Sequence, residues 1–335
     1  MKSLFPPSNI LFCTVLLFGL SCGESDSNNE NGNNGHSSNN GHGSNNGHGS
    51  NNGHGSNNGH GSNNGHGTNG HGDEVELEFA MQVDGKALDC SSDYTLGTKS
   101  TKSKLADARF FVSSIEYRNT SGEWLEMELS SNKWQYKNLA LLDFEDATGA
   151  CSDSGTPEMY KIVNGTLPSG NYDKVRFSLG VPFELNHIDN ASAAAPLDTP
   201  GMYWVWRGGY KFLKIDWKVE GSAVPRYNTH LGSTGCISTT PTTPPEKACS
   251  NPNLATLEFD ITSQIHNIVT LDLKKMLAET DLSVNAMDTP PGCQSSPMES
   301  SDCEKIFSAL GMDFSTGECS GDCAGQTTFS LITHH

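Results

Sequence analysis

The sequence predicts an all-β fold: an immunoglobulin-like β-sandwich with a small disulfide-rich C-terminal appendage. Three observations carry that prediction. Apolar residues alternate strictly with polar ones at Val75, Leu77, Phe79, Met81 and Val83, and again at Val175, Phe177, Leu179 and Val181. The pattern returns at Leu213, Ile215, Trp217 and Val219, and at Leu257, Phe259 and Ile261. A period of two gives a strand one buried and one wet face, as in antiparallel sheets. Secondly, no strand pattern alternates with a helical one, which excludes a parallel α/β fold. Thirdly, five of the ten cysteines fall after residue 240, too many for a plain sandwich end.

Taken in chain order, residues 1–22 read as an export signal. Lys2 supplies a weak positive start, and Ile10 to Leu20 form an apolar core too short to span a bilayer comfortably. Gly19-Leu20-Ser21-Cys22 resembles a bacterial lipobox, with Cys22 as the residue to be lipidated; Gly19 stands where leucine is usual. Such a protein is exported and held at the periplasmic membrane face or the cell surface by a lipid anchor. No other segment is apolar for long enough to cross a membrane.

Residues 23–72 are almost wholly Ser, Asn, Gly and His, and GHGSNN recurs with a period of six. That period places His42, His48, His54, His60 and His66. With nothing apolar to bury, the tract predicts a disordered tether. Its imidazoles also make it a weak collector of Cu²⁺, Ni²⁺ or Zn²⁺.

Residues 73–335 form the folded domain. Eight cysteines follow the signal, an even number that in an exported chain points to disulfides. On the order of a hundred connectivities are open to eight cysteines. Proximity in sequence favours Cys236 with Cys249, Cys293 with Cys303 and Cys319 with Cys323, which leaves Cys90 with Cys151. Helix is scarce. Leu273, Met276 and Leu277 suggest a short turn, and Ser301 to Leu310 places Cys303, Ile306, Phe307 and Leu310 on one face. Ser301 and Glu304 read as a capping box there, and Gly311 as the stop.

A net charge of −18 argues against nucleic acid, whose phosphates need a basic surface. No nucleophile–base arrangement, phosphate loop or zinc-protease motif is present, so nothing marks an enzyme. Asp143, Glu145 and Asp146 read as solvated carboxylates. The folded domain holds three histidines before its last two residues: His187, His230 and His266. His187 follows one strand pattern and His230 ends another, so strand ends can deliver both as metal ligands; a hydrogen-bonded surface role is the ordinary alternative. Trp204 and Trp206 are spaced to face one way on a strand, either as packing aromatics or as oxidisable indoles beside a metal. Met202 adds a thioether nearby.

Several segments also follow a family pattern: Ala108-Arg109-Phe110-Phe111-Val112, Leu142-Asp143-Phe144-Glu145, Leu179-Gly180-Val181-Pro182-Phe183 with Asn186-His187, Met202-Tyr203-Trp204-Val205-Trp206, Gly209-Tyr210-Lys211-Phe212, and His230-Leu231-Gly232-Ser233-Thr234-Gly235-Cys236. In that order they resemble the MbnP-like proteins, the four-cysteine members of the metallo-mystery pair. The resemblance covers roughly residues 75 to 330 and leaves the His-rich leader outside; the chain has more cysteines than the four-cysteine pattern needs. What it implies is an exported copper-associated protein, not itself an enzyme, made beside a MauG-type di-haem enzyme that oxidises one of its tryptophans to kynurenine. Carried over, the ligands of one copper ion are His187 and His230, and the oxidised residue is Trp206 or Trp204, with Trp206 preferred. The alternative is a structural or adhesive surface lipoprotein module without metal.

Overall fold

The computed structural model describes residues 72–262 and 267–333. The signal, Cys22, the tether with His42, His48, His54, His60 and His66, and His266 lie outside the described residues. Among the described residues no helix is long and apolar enough to cross a membrane.

The predicted strand patterns all fold as strands, and their apolar halves meet in one core. One sheet is built around β1 (Asp73–Val83), whose Val75, Leu77, Phe79, Met81 and Val83 are buried. It holds β2 (Lys86–Ala87), β6 (Glu128–Leu129), β9 (Ile162–Leu167), β14 (Asn267–Asp272) and β18 (Phe329–Thr333), in the order β18-β14-β1-β9-β6 with β2 on β1. β1 runs antiparallel to β9 but parallel to β14, so the sheet is mixed.

The second sheet has the 19-residue β4 (Thr101–Asn119) as its spine. Along β4 lie β3 (Asp93–Leu96), β5 (Trp124–Glu126), β8 (Leu139–Asp143) with β7 (Gln135–Tyr136), β10 (Tyr172–Leu179) and β11 (Leu213–Val219). β13 (Ala255–Asp260), β12 (Arg226–Leu231) and β15 (Gly292–Cys293) complete the order β13-β10-β4-β11-β12-β15.

Aromatic side chains hold the two sheets face to face. Phe79 of β1 meets Phe177 of β10 edge-on at 5.3 Å between centroids and Phe110 of β4 at 6.0 Å. Phe329 of β18 closes on the same pair at 6.1 Å and 6.3 Å. Each fully buried ring contributes roughly 1.5–3 kcal/mol by burial, and edge-to-face pairing adds about 0.5–1.5 kcal/mol. The molecule is the expected β-sandwich.

β4 departs from simple alternation where the site lies. From Asp107 to Ser113 every residue is buried, so both faces of the spine are covered there. The inner face carries Ala108 and Phe110. The outer face carries Asp107, Arg109 and Phe111 beneath the long connection from β10 to β11.

The cysteine-rich tail packs as an appendage on β12. β15 pairs with β12 in parallel, with Thr229 opposite Cys293, and Gly292 (φ +78°) lies so close to Asn228 that a Cβ would overlap its backbone. Tyr227 donates to the Asp302 carbonyl at 3.0 Å. The short helix α2 (Leu273–Met276) is capped by the Asp272 carboxylate, and the main helix α3 spans Ser300–Ala309. Gly311, at φ +77°, follows as its stop. The capping box is not Ser301–Glu304: it is Ser296–Glu299, at the 3-10 turn Pro297–Glu299. That turn feeds directly into α3, so the N-terminal signal sits one turn earlier than the apolar face implied. A small hairpin, β16 (Met312–Asp313) with β17 (Glu318–Cys319), ends the appendage. The three pairings expected from proximity form, Cys236–Cys249, Cys293–Cys303 and Cys319–Cys323, as does the pair left over, Cys90–Cys151.

Candidate metal centre

After β10 ends at Leu179, Pro182 caps one helical turn, α1 (Phe183–Asn186), which leads to His187. The histidine is therefore the helix C-cap and does not follow the strand directly, as the sequence pattern had suggested. It is buried, and its Nδ1 lies 2.9 Å from the Trp206 carbonyl. A carbonyl only accepts, so Nδ1 carries the proton and Nε2 keeps its lone pair. Burial lowers the pKa of His187, and the hydrogen bond to Trp206 opposes this only in part. The neutral ring is the ligand form.

Nε2 of His187 lies 3.2 Å from Asn186 Nδ2 and 3.5 Å from Cys249 Sγ. Among the described residues it is grouped with both sulfurs of the Cys236–Cys249 disulfide, all three atoms within 4.8 Å of one another. Asn186 joins the segments of this region. Its Nδ2 donates to His187 and, at 3.3 Å, to Ser233 Oγ, while its Oδ1 accepts from the Tyr210 N–H at 2.8 Å. Sequence reasoning passed over Asn186; its position beside a candidate ligand was the only signal.

Trp204 and Trp206 do not lie on a strand. They fall in a hairpin closed by the Tyr203–Tyr210 bridge, with Trp204 N–H donating to Gly209 O at 3.0 Å and Gly209 N–H to Val205 O at 2.7 Å. The i, i+2 geometry fails because Arg207-Gly208-Gly209 reverses the chain. Gly209 has φ +72° and touches Asn186 so closely that a side chain would overlap it. Trp206 meets His187 through its carbonyl. The Trp204 ring packs flush on Gly232, two residues beyond His230, and forms one wall of an open cleft of about 440 Å³ with Arg207, Ser233, Cys236 and Met298. Met202 is fully buried packing.

His230 sits on β12 opposite Lys214 of β11, which in turn lies opposite Arg109 of β4 and then Asp143 of β8. Pairing thus sets a row of ionisable groups on the outer face of the sheet. Asp216 accepts from His230 Nε2–H at 2.6 Å. Asp107 receives the Arg109 guanidinium through both oxygens, Nε at 2.8 Å, and also Lys214 Nζ. Burial pushes the Asp216 carboxyl up, but the His230 hydrogen bond and the nearby Lys214 and Lys211 outweigh it and hold the pKa low. Ionised Asp216 therefore fixes the His230 proton on Nε2. The other nitrogen, Nδ1, is buried and has no hydrogen-bond partner among the described residues. An imidazole oriented by a carboxylate, with its second nitrogen left bare, is the usual arrangement of a metal-binding histidine.

The rest of the row corrects the sequence reading. Asp143 and Glu145 are buried, not solvated; of the three carboxylates only Asp146 is partly exposed. Glu145 accepts from the Ala147 and Thr156 N–H groups, and Asp143 from Thr156 Oγ1. Burial raises the Asp143 pKa to about 7 despite nearby Arg109. Lys211, donating to Gly201 O at 2.9 Å, is lowered to about 8 by burial and by Lys214. The two candidate histidines thus have different partners: His187 the Trp206 hairpin and a disulfide, His230 the charged row.

Fold and site together define a disulfide-bonded β-sandwich with buried histidines and a tryptophan hairpin at one end. The sequence model of the MbnP family matches residues 72–295, and this chain belongs to the MbnP family. A solved structure, MbnP from Methylosinus trichosporium, is similar at 29% identity and a TM-score of 0.66, over 77% of this chain and 98% of that one. No curated protein matches the chain significantly.

Proposed function

We propose that this methanobactin-related protein is an exported copper-binding protein that holds one copper ion through the imidazoles of His187 and His230. The observation that carries the reading is His230 Nδ1, a buried nitrogen with no partner on a ring already oriented by Asp216. His187 Nε2, its proton placed on Nδ1 by the Trp206 carbonyl, supplies the second lone pair. The donor set suits the metal, since imidazole is a good ligand for copper. Bound copper supplies a redox-active ion in a site sheltered from solvent.

In this reading the chain is the substrate and carrier, not the catalyst. A MauG-type di-haem partner oxidises Trp206 or Trp204 to kynurenine. Trp206 lies beside the His187 ligand through its carbonyl, and the Trp204 ring faces an open cleft. Four disulfides suit an oxidising compartment, and lipidation of Cys22 anchors the domain to the membrane. The direct test is copper stoichiometry of the purified protein and of its His187→Ala and His230→Ala variants, compared with a variant lacking the tether histidines.

A second reading, an adhesive or structural surface module without metal, draws on one observation. Ile237, Met287 and Met298 stand 86%, 86% and 72% exposed, apolar side chains open to a protein contact. Copper-free protein after loading, with no change in any tryptophan mass, selects it.

A further inference from the structure

Two disulfides, Cys236–Cys249 and Cys319–Cys323, each join a partly exposed cysteine to a buried one, and among the described residues Cys236–Cys249 is the one that lies against a histidine. Cys90, Cys151, Cys293 and Cys303 are buried in the core. Cys236 is partly exposed on the wall of the open cleft beside Trp204, and the loop it closes, residues 237–248, is largely exposed. A soluble dithiol can reach this sulfur, and access is one of the terms that set the rate of thiol–disulfide exchange. The partner sulfur, Cys249 Sγ, lies 3.5 Å from His187 Nε2.

That spacing has a chemical meaning. Ligands each about 2.0–2.3 Å from a metal in a tetrahedral or trigonal site stand about 3.5–4 Å from one another. His187 Nε2 and Cys249 Sγ are already at that distance, and Cys236 Sγ lies with them inside the 4.8 Å group. The S–S bond ties up both sulfurs and so keeps these donors from accepting a metal. His187 Nδ1 donates to Trp206 O, so the nitrogen facing the sulfurs carries the lone pair. The competing contact, from Asn186 Nδ2 at 3.2 Å, is one neutral hydrogen bond.

We propose that reduction of Cys236–Cys249 opens a second metal mode, in which His187, Cys236 and Cys249 bind one Cu(I). A dithiol donates two electrons and two protons: the S–S bond breaks, two protein thiols form, and the dithiol closes to its own disulfide. Cu(I) then displaces both thiol protons and takes two thiolate bonds and one imidazole bond. Soft thiolates select Cu(I) over the harder divalent ions. The oxidised protein thus offers copper imidazole nitrogen alone, and the reduced protein a softer site sharing His187. The choice of copper rests on the function proposed above; the donor set does not.

The test uses the full-length protein, treated with a dithiol under conditions in which alkylation and peptide mapping show Cys236–Cys249 opened and the other three bridges intact. Cu(I) is then titrated against a chromophoric Cu(I) chelator while thiolate-to-copper charge transfer is followed in the ultraviolet. The expected result is one added equivalent of Cu(I) with a thiolate band, absent from the oxidised protein. It is lost in the Cys236→Ser/Cys249→Ser variant and weakened at least tenfold in His187→Ala. Tether histidines give no thiolate band, so they do not confuse the readout, and circular dichroism shows whether the double variant keeps its strands. Wild-type protein with the bridge opened but no thiolate band overturns the proposal, as does an undiminished band in His187→Ala. If the oxidised protein binds no copper while the reduced protein does, the functional reading fails and this proposal stands.

Discussion

Asp216 holds the Nε2–H of His230 at 2.6 Å, and the opposite nitrogen of that ring is buried with no partner among the described residues. A buried polar atom left unpaired costs about 1–3 kcal/mol, and a bound ligand removes that cost. Asp216→Asn should keep the strand pairing of β11 but free the tautomer. Copper affinity is then expected to fall about 10–100-fold, as for other outer carboxylates of histidine ligands. Competition titration of wild type against the variant measures it; equal affinities would remove His230 from the site.

Gly232 is where the Trp204 ring meets the backbone. A methyl group there overlaps the indole, so Gly232→Ala must push the ring away. Overpacking of this kind costs about 1–3 kcal/mol. The variant is expected to unfold at lower urea and to show altered tryptophan fluorescence in the native state. A native spectrum identical to wild type argues that the ring lies elsewhere.

Asp143 gives the molecule a pH signature. Its pKa is raised from the ordinary carboxylate range to about 7, first by burial, with Glu145 and Asp107 adding to the rise and Arg109 opposing it. Between the unfolded value near 4 and about 7, the native state holds a proton that the unfolded chain has released. Stability from this group is therefore greatest at the acid end and falls as pH rises through that window, at up to about 1.4 kcal/mol per pH unit. Urea unfolding from pH 4 to 7 should show a shallower pH slope in Asp143→Asn, which keeps the bond to Thr156, than in wild type. Parallel curves would place the proton elsewhere.

The oxidation reading has its own mass signature. Trypsin releases residues 177–207 as one peptide that carries His187, Trp204 and Trp206 together. Protein made alongside a MauG-type di-haem partner is expected to gain about 4 Da on that peptide, one ring carbon exchanged for one oxygen. Fragment ions assign the gain to Trp206 or Trp204. An unshifted peptide from co-expressed, copper-loaded protein speaks against the modification.

Much of the fold was legible because one-sided burial writes itself into sequence. β1 alternates since its inner residues are buried in the core, Phe79 against Phe110 and Phe177, while its outer ones stay exposed or partly exposed. The disulfides were legible because each of three pairs closes a short loop. The outer face of β4 was not. Asp107, Arg109 and Lys214 look like ordinary wet-face residues, yet all three are buried, Arg109 against Gly201 of the distant 182–212 connection. The Trp hairpin was misread for a local reason: Tyr203-Trp204-Val205-Trp206 has strand composition, and Gly208-Gly209 turns it back. His187 and His230 were visible as rare residues, but their hydrogen-bond partners, Trp206 O and Asp216, depend on long-range packing.

Copper on His187 and His230 is measured by loading oxidised protein without tether histidines and counting the metal by elemental analysis after exhaustive dialysis. One copper per wild-type chain is expected, lost in both His187→Ala and His230→Ala while their circular dichroism stays native. Retention of a full equivalent in either variant would contradict it.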